Sequence, residues 1–218
     1  MDIKRQIVRS GFDGKSCWVH ARPAVLPAAG TANPVIIITA YPLRLTGNDV
    51  FYETHAMYSE DMGNTWTDFI PYRDALGRRK ISEGREEIMS DLMPQWHQAS
   101  KTMLMTGHTV VYKNDEIVPG LRPRSTAWTT FNPATRQWTS YQKLIMPSLD
   151  KFFNAGAGST QRVDLPNGDI LLPIYFVDPA NGGKGHSSTV VRCGFDGMTL
   201  RYLEHGTELY IPQPRGFG

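Results

Sequence analysis

The chain has 218 residues, 40% of them hydrophobic and 20% charged, with a net charge of +2. This balance is ordinary for a globular protein and gives no electrostatic footprint for nucleic acid or another polyanion. The longest apolar runs, Val35–Ile38 and Ile170–Val177, fall well short of the roughly 18 residues that a membrane-spanning helix needs. Two cysteines, Cys17 and Cys193, cannot build a disulfide framework or a zinc cluster, and two reduced thiols are the expectation. Met1–Arg5 is basic but has no apolar stretch behind it, which reads as a cytoplasmic chain without a secretory signal.

Glycine and proline, 20 and 15 residues, are spread evenly along the chain and leave room only for short elements. The first strand-like runs are Val35–Thr39 and Val50–Tyr58. A short helix is expected over Ser82–Met93, where Ile88, Met89 and Leu92 fall at helical spacing and Pro94 follows. Strand-like runs resume at Thr102–Tyr112, Ser125–Phe131, Ile170–Phe176 and Thr189–Phe195. Lys113-Asn114-Asp115 and Asn167-Gly168 are tight-turn signals between such runs, because these residues tolerate positive φ. The fold class expected is all-β, in a single domain.

A hairpin recurs along the chain. Tyr58–Trp66, Phe131–Trp138 and Phe195–Tyr202 each set two aromatic residues around a polar turn, and the closing aromatics are 72 and then 64 residues apart. A hairpin repeated once per four-stranded unit predicts a β-propeller, in which each unit buries its faces against the next. The first hairpin, Ser59-x-Asp61-x-Gly63-x-Thr65-Trp66, fits the pattern S-x-D-x-G-x-[ST]-W. Its mechanics are local: serine and aspartate side chains hydrogen-bond the turn backbone, glycine takes positive φ, and tryptophan packs beneath.

This motif resembles the Asp box of sialidase-type propellers. Further residues carry the likeness: His20-Ala21-Arg22-Pro23 resembles a degenerate arginine motif, Arg44 follows the strand at Val35–Thr39, and Asp49 precedes Ser59 by ten residues. The segments Asn154–Pro173 and Arg192–Gly197 also resemble bacterial exo-α-sialidase-like proteins, so the likeness spans about residues 17–212. The resemblance implies a glycoside hydrolase that removes a terminal sialic acid or a related acidic sugar, with a carbohydrate as its partner and no cofactor or metal. Arg22 would bind the sugar carboxylate, since a guanidinium fork matches that group. Arg44, His20 and Arg162 would line the pocket, and Asp49 would be the acid/base group. Ser59, Asp61, Gly63 and Trp66 would be structural.

The family's tyrosine nucleophile, its glutamate and its remaining arginines come from later blades. No motif makes Glu208 and Tyr210 the missing pair. Three hairpin units account for these residues, so about three to four blades are expected. The propeller would then be partial, with exposed blade edges that favour self-association. The alternative is a non-catalytic propeller that binds glycans or proteins. Plainer structural readings stand beside the functional ones: an ion-pair role for Arg22, a turn role for Asp49, a non-pocket role for Arg44, and packing for Arg162. Among the other histidines, His97 could reach the central pocket beside His20.

Overall fold

The computed structural model describes residues 5–28, 33–46, 48–147, 150–181 and 185–210; most of the N-terminal stretch read above for a signal, Met1–Lys4, lies outside them. Strands take up 52% of the structure and helix 3%, so the fold is all-β. Three antiparallel sheets follow one another along the chain. The first contains β1 (Ser16–Leu26), β2 (Val35–Arg44), β3 (His55–Ser59) and β4 (Ile70–Pro71), paired in chain order. A one-turn helix at Arg73–Leu76 leads into the second sheet.

The second sheet runs β5 (Arg79–Ser82), β6 (Arg85–His97), β7 (Thr102–Lys113), β9 (Thr126–Asn132) and β10 (Gln137–Trp138). Short β8 (Glu116–Ile117) pairs with β7, and β11 (Gln142–Lys143) with β9. In the third sheet, β12 (Ala155–Gly156) and β13 (Val163–Asp164) share one edge of β14 (Ile170–Phe176). β15 (Ser187–Phe195), β16 (Leu200–His205) and β17 (Leu209–Tyr210) complete it.

The helix expected over Ser82–Met93 is instead most of β6. Two features of that strand imitate a helical pattern. It is buried on both faces, with Ile88, Met89 and Leu92 all inaccessible, so strict alternation of apolar and polar residues is not required. A bulge between Ser90 and Met93 then shifts the side-chain phase.

Period-two alternation explains why the second sheet is so apolar. Met103 and Met105 of β7 and Phe131 of β9 point into a core shared with Ile37, Tyr41 and Tyr58 of the first sheet. Leu104 and Trp128 point the other way, into a core shared with Ile170, Leu172 and Val191 of the third. Burying such side chains contributes about 1.5–3 kcal/mol each, and here both faces of one sheet do so. Cys193 lies in the second of these cores and Cys17 is half-buried; both are free thiols. Among the described residues no helix is long and apolar enough to cross a membrane.

The turns form as their residues dictate. Asn114 and Asp115 both take positive φ between β7 and β8, and Gly168 does so between β13 and β14. In the first sheet's hairpin, Asp61 accepts from the backbone and hydroxyl of Thr65 at 2.8 and 2.6 Å, and Ser59 Oγ accepts from the Gly63 N–H at 2.8 Å. Gly63 has φ of 90°, and the Trp66 indole donates to its carbonyl at 3.0 Å. Asn132 and Asp196 hold the corresponding turns of the other two sheets by accepting backbone N–H groups two and three residues ahead.

Candidate functional site

Among the described residues, eight that are not glycine have positive φ. Five of them, Met62, Lys101, Asn114, Asp115 and Arg136, sit in hairpin turns, where that conformation is expected. The other three are His20, Asp91 and Ser159, with φ of 53°, 54° and 52°. Each lies where one long strand, or pair of short strands, of a sheet breaks its register. β1 pairing jumps from Val19↔Tyr41 to Arg22↔Thr39, and β6 pairing jumps from Ser90↔His108 to Met93↔Thr106. In the third sheet, residues 157–162 separate Gly156↔Tyr175 from Val163↔Leu171. Left-handed backbone at a non-glycine residue is strain, and recurrence of that strain at equivalent places marks a built feature.

The last residues paired before these breaks are Tyr41, His108 and Tyr175, each 67 residues after the one before. They join the bulge residues in one polar chain across all three sheets. His20 Nδ1 lies 2.7 Å from Asp91 Oδ1 and 2.7 Å from the Tyr41 hydroxyl. The phenol oxygen accepts from the Asp91 N–H at 3.0 Å and from Ser90 Oγ at 3.2 Å, and its own proton reaches Asp91 Oδ1 at 3.3 Å. On the other carboxylate oxygen, His108 Nε2 lies 3.3 Å from Asp91 Oδ2, and His108 Nδ1 is 3.3 Å from the Tyr175 hydroxyl. The Ser159 N–H donates to the Asp91 carbonyl at 2.9 Å, while Ser159 Oγ accepts from Arg22 at 3.3 Å.

Burial shapes the electrostatics of this chain. It pushes the His108 pKa down to about 4 against the opposing pull of Asp91, so the ring is neutral near pH 7. It pushes the Tyr41 phenol well above its ordinary range, with the Asp91 charge adding to the effect. His20 keeps 36% of its side chain exposed and Asp91 keeps 19%, and Ser159 is exposed beside them, so a ligand can reach this end of the chain. Among the described residues, no group of three or more His, Cys, Asp or Glu could hold a metal ion.

Three arginines surround this chain without a carboxylate partner among the described residues. Arg22 Nε donates to Met93 Sδ at 3.1 Å. Arg124 stacks over the Tyr175 ring at 4.2 Å and donates to Asn154 Oδ1 at 2.7 Å. The Arg122 carbonyl accepts from Asn154 Nδ2 at 2.7 Å, and the positive charges of Arg122 and Arg124 both act on His108 and Tyr175. The glycine-rich stretch after Asn154 brings the third sheet close: a Cβ on Gly158 would stand 2.2 Å from His108 Nδ1, and one on Gly156 2.5 Å from His108 Cβ.

Of the residues singled out from sequence, His20 and Arg22 belong to this cluster. Arg44 does not; its guanidinium is held by Asp115 and Glu116, each at 2.5 Å. Asp49 is exposed, in a turn whose carbonyl accepts from the Tyr112 hydroxyl at 2.8 Å. Arg162 is buried and donates to Asp164, the Leu104 carbonyl and the Gln95 carbonyl, each at 2.8 Å. His97 is fully buried, with its ring nitrogens on Ser100 Oγ and the Gly168 carbonyl, so it does not reach the cluster. Tyr41, Asp91, His108, Arg122, Arg124, Ser159 and Tyr175 carry no local motif that marks them in the sequence. The exact 67-residue period of Tyr41, His108 and Tyr175 was the sequence signal that could have found three of them.

Two clefts, of about 540 and 560 Å³, open beside the N-terminal end of β1 and share no residue with the cluster. Of their charged groups, Glu53 pairs with Arg73 at 2.7 Å and Arg44 is held as above. No protein-family model matches the chain, and comparison with curated proteins finds no match.

Proposed function

We propose that this chain is a sialidase-like β-propeller of the glycoside hydrolase type, acting on a terminal sialic acid or a related carboxylated sugar. Three sheets whose main strands pair in chain order, each with a similar hairpin and a register break, support reading each as one blade. The observation that carries the functional reading is the set Arg22, Arg122 and Arg124, without carboxylate partners among the described residues: Arg22 reaches Ser159 of the polar chain, and Arg122 and Arg124 act on its His108 and Tyr175. Guanidinium groups left without an acidic partner in a partly buried place are suited to an anionic ligand, which they bind through paired charge-assisted hydrogen bonds. Hydrolysis also needs a proton carrier, and the His20–Asp91 pair stands beside them.

The test is hydrolysis of a fluorogenic sialoside, with sialic acid binding followed by calorimetry. Arg22→Ala is expected to weaken binding or raise KM by roughly 10- to 100-fold, the worth of a hydrogen bond to a charged group. Arg44→Ala, at a guanidinium already held by two carboxylates, is expected to leave both unchanged. Binding without turnover would convert the reading into a non-catalytic glycan-binding propeller. Absence of both, or equal effects of the two substitutions, would reject it.

A further inference from the structure

We infer that His20 is the group that exchanges a proton with the substrate at this site, with Asp91 and His108 as its positioning residues. This rests on the hydrolase reading above, which left the proton carrier unassigned.

The hydrogen-bond roles follow from the acceptors. The Tyr41 oxygen receives two protons, from the Asp91 N–H and Ser90 Oγ, and its own proton has both Asp91 Oδ1 at 3.3 Å and His20 Nδ1 at 2.7 Å within reach. His20 Nδ1 stands 2.7 Å from the same carboxylate oxygen, where a bare nitrogen would set its lone pair against the anion, so the arrangement favours a hydrogen on Nδ1. Fixing Nδ1 in this way leaves Nε2 as the working nitrogen, and no described residue hydrogen-bonds it. Asp91 is itself held on its far side: His108 faces Oδ2 through Nε2, and Tyr175 meets the other ring nitrogen. The glycines at 156 and 158 seat that ring with no room for a side chain. Tyr41 is buried behind the pair, which removes the phenol from direct attack on a sugar.

In the reaction, His20 Nε2–H gives its proton to the leaving oxygen as the anomeric carbon–oxygen bond breaks. Water adds to the anomeric carbon and loses a proton to Nε2, which returns the ring to the form in which it began the cycle. Water is consumed, one bond breaks, one forms, and no redox partner is required.

His20→Asn and Asp91→Asn are suitable probes, because asparagine tolerates the left-handed backbone that both positions adopt. Each is expected to lower kcat on the sialoside by about 10²–10⁴-fold with little change in KM. His108→Gln is expected to lower kcat less. Nitrogen chemical shifts of the His20 ring supply a readout that needs no turnover: neutral His20 should be the Nδ1–H tautomer in the wild type and lose that preference in Asp91→Asn. Wild-type turnover that survives His20→Asn overturns the assignment and leaves the hydrolase reading standing. A wild type without turnover rejects the hydrolase reading and with it a catalytic role for His20; the ring spectra then separately judge the pairing, which an Nε2–H tautomer would refute.

Discussion

His108 shows how a single buried side chain ties the site to the stability of the molecule. Its ring is 5% exposed and its pKa lies near 4, chiefly because burial penalises the charged form. An unfolded histidine titrates near 6.5. Between these two values the unfolded chain binds a proton that the folded chain refuses. Stability is therefore full above about pH 6.5 and declines as the pH falls toward 4, by up to about 3 kcal/mol from this residue. Urea unfolding across that window should show the slope, and His108→Gln should reduce it relative to the wild type. An unchanged slope would mean that the ring is protonated in the folded state. The Asp61 carboxylate acts similarly at lower pH. Hydrogen bonds from Thr65, with Ser59 assisting, hold its pKa at about 2, so the hairpin loses that support only as pH falls from about 4 toward 2.

The strand is the scale at which the site is built, and its geometry depends on what faces each break. Gly107 of β7 lies opposite the Asp91 bulge, where a Cβ would stand 2.5 Å from the Ser90 carbonyl oxygen. Because that atom belongs to the backbone, Gly107→Ala must move β6 itself. The expected cost is about 1–3 kcal/mol, and at this chain size each kcal/mol lowers Tm by about 2–4 °C. Gly206→Ala is the control, since its Cβ would meet the nearest atom, the Val190 carbonyl oxygen, at 3.8 Å. Equal melting of the two variants would contradict the close fit. The strand is also where the sequence was hardest to read. Turn chemistry at Asn114 and Gly168 is local and was visible. Asp91 was hidden in a stretch that imitates a helix, because a two-residue bulge and burial on both faces erase the period of two. Arg44 and Arg162 looked available because their partners are remote: Glu116 is 72 residues from the first, and the Gln95 carbonyl 67 from the second. No local pattern announces an ion pair or a carbonyl supplied from another sheet.

Across the whole molecule the sheets differ in cover. The second is packed on both faces, as its two cores require. On the third, the register places Val163 beside Leu171 and Val190 beside Pro173 on one face. Leu203 joins them, since its side chain lies nearest the position that a Gly194 Cβ would take. Val163, Val190 and Leu203 are 58%, 43% and 44% exposed. Exposed apolar side chains of this kind, here flanking Arg192 on the same face, favour association. Sedimentation velocity is expected to show concentration-dependent self-association that the double substitution Val190→Lys, Leu203→Lys suppresses. A wild type that stays monomeric at high concentration would refute this.

The buried Arg162 guanidinium joins the third sheet to two carbonyl groups of the second, with only Asp164 to balance its charge. Drawing the sheets apart would strand a cation whose three partners had separated from one another, at an energetic penalty far above that of parting greasy surfaces alone. These two sheets should therefore melt as one cooperative unit, with no half-open intermediate between them.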